Sequence, residues 1–196
     1  MPSLAPRASA LASLYRPGRH GTHGGAAGIR ISERRGLAIV QVACFDAESV
    51  KRAEAASGLP LAAAANRSAR LGETSVLWAG PRRWLVVAET AEDLAHGLAA
   101  TLAGAAVVTD LSHARTVLLL SGPRVRDVLA KGSGVDFHAR AFPVGHCALT
   151  GIAKITAHVH AADAAPSFEV MVYRGYGLAF WEWLGEAAAE YGYEVA

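Results

Sequence analysis

Only two cysteines occur in 196 residues, and Cys44 and Cys147 stand too far apart for a metal-type spacing. A zinc ribbon and a disulfide-stapled small domain are therefore both disfavoured, and two thiols inside apolar runs are expected in a core under reducing conditions. Charge is sparse at 18% and aromatics at 7%, while 52% of the residues are hydrophobic, enough to build a real core. No apolar run approaches the ~18 residues needed to span a bilayer, and the run at 11–14 is too short and broken for a signal-peptide core. A soluble, non-secreted, cytoplasmic protein is expected. The glycine-rich segments at 21–28 and 132–134 lack the strand-to-helix context of phosphate loops, and Ser112-His113 is not a G-x-S-x-G elbow.

Acidic residues are missing from the first 32 positions. Residues 1–35 hold six arginines against Glu33 alone, which leaves thirteen basic and sixteen acidic residues in the remainder. Such a basic, Ala/Ser/Gly-rich leader suits an organellar transit peptide or an arm that orders on a partner. Nucleic-acid binding is the weaker reading, because its arginines are scattered and Tyr15 is their only aromatic neighbour. Residues 1–30 are accordingly expected to form a flexible basic arm.

From residue 36 the pattern becomes regular. Residues 36–44 form a β-branched apolar run with Leu37 and Ile39 on one face and Val40, Val42 and Cys44 on the other, a strand buried on both sides. Residues 46–58 open on an acidic cap and close on glycine, as a helix does. Two strand-like runs, 74–79 and 83–88, flank the Gly80-Pro81 turn signal, with Trp84 expected to fill the hairpin core. Thr90 is expected to cap a helix running to residue 103, with Glu92 and Asp93 in its first turn, followed by a strand at 105–109.

The order then repeats. A strand is expected at 114–120 and a helix from Ser121-Gly122-Pro123, with Val125, Val128 and Leu129 sharing one face. A strand at 153–160 alternates apolar residues with Lys154, Thr156, His158 and His160 on a wet face. A strand at 168–173, a helix at 177–191 and a short strand at 193–195 complete the pattern. The prediction is an α+β chain of two tandem βαββαβ, ferredoxin-like modules with antiparallel sheets, spanning 31–109 and 110–196. Their helix-free sheet faces must be covered by each other or by a partner.

Polar constellations with chemical potential are few. His158 and His160 share a strand face ~6.5 Å apart, but no third metal ligand is identifiable near them, and alternation on a wet strand explains them equally. Asp110, Ser112 and His113 are the residue types of a nucleophilic triad, yet adjacent positions rarely converge as a triad must. A turn in which Asp110 and Ser112 bond local backbone groups is simpler. Arg115 and Arg174 suit carboxylates of ligands or of interfaces, whereas Arg124 and Arg126 are expected in solvent. Trp181 and Trp183, two apart on a helix, are expected to divide between core and partner surface. No catalytic or metal-binding residue is assigned.

Taken together, several motifs carry a family resemblance. They include Ser32-Glu33-Arg34-x-Gly36, Gly80-Pro81-x-x-Trp84, Asp110-x-Ser112-His113-x-Arg115, Ser121-Gly122-Pro123, Asp136-x-His138-x-x-x-Phe142 and Arg174-x-Tyr176 with Phe180-Trp181-x-Trp183. Through them the chain resembles the gamma subunit family of heterotetrameric sarcosine oxidases, related in fold to the N-terminal part of folate-binding aminomethyltransferases. The resemblance implies a non-catalytic subunit that assembles with alpha, beta and delta chains and binds neither nucleic acid nor membrane. It also implies a complex that oxidatively demethylates sarcosine to glycine, releasing hydrogen peroxide and forming methylenetetrahydrofolate. FAD, FMN, NAD, zinc and tetrahydrofolate would be held by the other subunits.

The wider fold family implies an alternative, a stand-alone tetrahydrofolate-binding one-carbon protein in which Asp110, Ser112, His113, Arg115 and Arg174 border a folate-like pocket. The chain stops where the larger aminomethyltransferases continue into a further barrel domain, so a complete folate site is not expected. The Lys-Gly-Cys-Tyr-x-Gly-Gln-Glu motif of the related iron–sulfur maturation proteins is absent.

Overall fold

The computed structural model describes residues 8–61, 64–89 and 93–196. Two short strands come first, β1 (Gly18–His20) and β2 (Ile29–Glu33). The first half continues with β3 (Ala38–Cys44), α1 (Ala47–Ser57), β4 (Ser68–Leu71), β5 (Thr74–Gly80), β6 (Arg83–Ala88), α2 (Leu94–Thr101) and β7 (Ala106–Asp110). The second half holds β8 (Arg115–Ser121), α3 (Val125–Gly132), β9 (Cys147–Ile152), β10 (Ile155–Asp163), β11 (Ser167–Tyr173), α4 (Gly177–Ala188) and β12 (Tyr193–Val195).

Local chemistry accounts for most boundaries. Asp46 and Ser49 form a reciprocal capping box at the start of α1, and Gly58 ends the helix at φ 69. Helix α2 begins later than expected, at Leu94, with Asp93 left-handed before it rather than inside its first turn. Thr90 and Glu92 lie outside the described residues. The strand expected at 153–160 is present from Ile155 as β10, but its first two residues are a hairpin corner: Ala153 and Lys154 take φ of 50 and 66, so β9 turns there into β10.

The two sheets are antiparallel in all but one pairing. The first runs β4-β5-β6-β3-β7, the ferredoxin-like order of β3, β5, β6 and β7 with β4 added at the edge. The second runs β1-β12-β2-β8-β11-β10-β9. It matches the first strand for strand from β9 to β8, but the place beside β8 is filled by β2 from the N-terminal side. β12 pairs parallel outside β2, at the register Tyr193↔Ile29. Residues 31–33 thus belong to the second sheet, although sequence order places them with the first module.

The arm expected over residues 1–30 is folded in its described part. Leu11 is 0% exposed within the second helix-covered core, and β1 pairs with β12. Tyr15 donates its hydroxyl to the Ala196 carbonyl and accepts the Glu33 N–H at 3.1 Å. Gly28 is required by close packing, because a Cβ there would meet the Tyr191 Cβ at 2.8 Å. Apolar anchors inside a basic, glycine-rich leader thus hold it to the body.

Each sheet carries its helices on one face. Val40, Val42, Val76, Trp84 and Val86 face the helices of the first half, with Ala53, Leu98 and Leu102 among their neighbours. Leu118, Leu120, Val159, Phe168 and Val170 pack against Val128, Phe180 and Leu184 in the second. Trp181 and Trp183 are both half-buried against this core, beside Tyr15 and Phe180 respectively, so neither is given over to solvent. The helix-free faces cover each other, with Ile39, Leu77, Leu85 and Val87 of the first sheet meeting Val117, Cys147 and Met171 of the second.

Candidate functional site

The corner joining β7 to β8 contains the polar cluster singled out in the sequence. Asp110 Oδ1 accepts the Ser112 N–H at 2.8 Å and the Ser112 hydroxyl at 2.5 Å. Ser112 Oγ in turn accepts the backbone N–H of Ile39 at 3.0 Å. The hydroxyl proton is committed to Asp110 and the oxygen to β3, while His113 stands exposed outside this chain of bonds. An Asx-type turn that stitches the two halves together is the geometry present.

The neighbouring residues are brought close by strand pairing. Arg115 lies opposite Tyr173 in the β8–β11 register, and its guanidinium carbon sits 3.7 Å from the Tyr173 ring centroid. The Arg174 N–H bonds the Ala114 carbonyl at 2.8 Å. Ser112, His113, Arg115 and Arg174 line one cavity of about 50 Å³, walled by residues 8–10 and 33–37, a contribution of the N-terminal segment that sequence order did not suggest. Asp110 is not in its wall and supports it through Ser112.

The strand expected to have a wet face carries the other polar cluster. His158 and His160 lie between the two sheets, 1% and 7% exposed, because the helix-free faces close on each other. His158 Nε2 lies 2.9 Å from the Trp78 carbonyl of the opposite sheet. His160 Nδ1 meets Glu169 Oε2 at 3.1 Å, and its Nε2 faces Ser68 Oγ at 3.0 Å. Glu169 is also bridged to Arg34, whose Nη2 reaches Glu89 Oε1 at 2.6 Å. Burial pushes both imidazoles down to about 4, for His160 with the help of His158, Arg70 and Arg34. Both are neutral at neutral pH, so His160 donates to Glu169 as an uncharged ring.

The cysteines are buried free thiols. Burial raises Cys147 to about 11, and its Sγ contacts the Arg67 and Trp78 carbonyls. Arg126, expected in solvent, donates to the Phe137 and Phe142 carbonyls and covers the Phe168 ring at 4.9 Å. It clamps the loop after α3, where Asp136 Oδ1 accepts the His138 N–H at 2.8 Å. Among the described residues, no group of three or more His, Cys, Asp or Glu could hold a metal, and no helix is long and apolar enough to cross a membrane.

Comparison with known proteins places this geometry. A model described as "Sarcosine oxidase, gamma subunit family" matches residues 43–190. The chain is 45% identical over 83 residues to the sarcosine oxidase subunit gamma of an Arthrobacter species, covering 42% of this chain and 41% of that one. It is 39% identical over 103 residues to subunit gamma of Corynebacterium sp. (strain U-96), covering 52% and 50%. The matched segments thus span half or less of these curated relatives.

Among solved structures, the chain is similar to one in the heterotetrameric sarcosine oxidase from Corynebacterium sp. U-96 in complex with pyrrole 2-carboxylate. The TM-score is 0.84 at 27% identity, over 94% of this chain and 96% of that one. It shares its fold with the glycine cleavage system aminomethyltransferase T from Bartonella henselae, at TM-score 0.64 and 16% identity over 87% of this chain and 48% of that one.

Proposed function

The chain belongs to the sarcosine oxidase gamma subunit family, and on that premise we propose that it is a non-catalytic subunit of a heterotetrameric, flavin-dependent sarcosine oxidase complex. The observation that carries this reading is the likeness to a chain of the Corynebacterium sp. U-96 heterotetramer over 96% of that chain. Its partners are the alpha, beta and delta chains, and its role is assembly and stability of the complex in the cytoplasm. The complex demethylates sarcosine oxidatively to glycine, yielding hydrogen peroxide and methylenetetrahydrofolate. FAD, FMN, NAD, zinc and tetrahydrofolate sit in the other chains.

The internal bonding supports this division of labour. The Ser112 hydroxyl is committed at both ends to a turn, and the sheet faces that might have bound a partner are used up on each other. Contacts to the larger chains therefore fall on exposed apolar side chains such as Phe45, Val107 and Tyr176.

The folate-binding alternative fits less well. The cavity bordered by Ser112, His113, Arg115 and Arg174 measures about 50 Å³, far below the ~300–1,000 Å³ of sites for ligands of that size, and Asp110 does not line it. Calorimetric titration of the purified chain with tetrahydrofolate separates the two readings. A subunit of the proposed kind gives no binding heat at millimolar ligand; saturable binding lost in Arg174→Ala would establish the alternative.

A further inference from the structure

A second cavity, of about 70 Å³, is lined by residues of both sheets and shares Arg115 with the first. Its wall is assembled by strand alternation. Gln41 of β3 and Arg83 of β6 project from the first sheet, while Arg115 of β8, Tyr173 of β11, and Thr156 and His158 of β10 project from the second. Among the described residues none of its lining is acidic, so two arginines contribute to its wall without a carboxylate.

Two of these side chains have hydrogen-bonding groups that no described residue satisfies. Arg115 Nε and Nη1 are buried without an acceptor, and stacking on Tyr173 engages only the flat face of the guanidinium. His158 Nδ1 is likewise buried without a partner. Its role follows from the other nitrogen: Nε2, facing the Trp78 carbonyl at 2.9 Å, must carry the proton of the neutral ring, which leaves Nδ1 as an acceptor. Buried polar atoms of this kind are costly unless a partner arrives. The wall of the cavity thus includes a residue with unpaired cationic donors and one with an unpaired neutral acceptor.

We propose that this cavity binds a small 2-hydroxycarboxylate, whose carboxylate takes the Arg115 N–H groups and whose hydroxyl gives its proton to His158 Nδ1. The anion supplies the charge that two arginines call for, and charge-assisted bonds to guanidinium are the stronger kind. A simple carboxylate would leave Nδ1 unpaired, as would an acidic side chain inserted by a partner. An amino acid would bring an ammonium group beside Arg83 and Arg115. At ~10–15 Å³ per water-sized position, the cavity has room for about five or six non-hydrogen atoms, the size of a two- or three-carbon acid. The site stands apart from the assembly role and does not depend on it.

The test is calorimetric titration of the full chain near neutral pH with glycolate, acetate and glycine. Glycolate should bind saturably with one equivalent, acetate roughly tenfold more weakly for want of the hydroxyl bond, and glycine more weakly still. Arg115→Met should lose glycolate binding, and Arg115→Lys should retain part of it. Because a change in β8 can perturb folding, the wild-type chain supplies a second readout: the His158 Nδ1 resonance in 15N NMR should move with glycolate and not with acetate. Absence of saturable binding at millimolar glycolate, equal affinity for acetate, or a His158 resonance indifferent to glycolate would each overturn the proposal.

Discussion

Ser112 Oγ accepts the backbone N–H of Ile39 at 3.0 Å, a bond between the corner that opens the second half of the chain and an inner strand, β3, of the first sheet. Because the same hydroxyl donates to Asp110 at 2.5 Å, Ser112 is a structural stitch rather than a nucleophile. Ser112→Ala should cost about 1–2 kcal/mol in chemical denaturation, since it leaves a partly buried N–H without its acceptor. Turnover of the assembled complex should stay close to wild type. A collapse of turnover at unchanged stability would instead assign Ser112 a chemical role.

The paired histidines make stability depend on pH. Both have folded values near 4, below the ordinary 6.5, so the unfolded chain binds more protons in the interval between. Stability is therefore fully present above 6.5 and lost as pH falls toward about 4, at up to about 1.4 kcal/mol per pH unit for each ring. Urea unfolding as a function of pH checks this. His158→Gln should flatten the dependence by about one proton, and an unaltered slope would show that His158 is not held neutral.

Met171 is fully buried where the two sheets meet. Met171→Ala removes packing from both halves at once and should destabilise by about 2–5 kcal/mol. A single unfolding transition, shifted as a whole, is the expected readout. Two separate transitions would mean that the halves fold independently and that this contact contributes little.

Leu11 tests the docked arm. It is fully buried, whereas a flexible leader would leave it in solvent. Leu11→Ala should lower stability by about 2–4 kcal/mol and open the half-buried Arg19 to limited trypsin digestion. Unchanged stability would return the segment to the status of a free arm.

Much of this architecture was legible from local pattern. Alternation at Val40, Val42 and Cys44, the Asp46 cap, the Gly80-Pro81 turn and the run from Phe168 to Tyr173 announced strands and helices in the order observed. The turn at Asp110 and Ser112 was legible too, because short polar side chains beside a strand end bond nearby backbone. Non-local facts were not. Ile31 does not say that it will pair with β8, nearly ninety residues away, rather than with β3. His158 and His160 looked solvated because period-two alternation distinguishes two faces without saying what covers the second. The same limit hid the cavity beside Arg115, whose walls come from seven strands and become neighbours only when the sheets close.

The subunit role is tested most directly by native mass spectrometry of this chain co-expressed with alpha, beta and delta chains of a sarcosine oxidase complex from the same source. A gamma-subunit role predicts one assembly with one copy of each chain, from which omission of this chain removes stability or assembly, while the chain alone is colourless and inactive. Recovery of this chain as a free monomer beside a complete, active complex of the other three would contradict it.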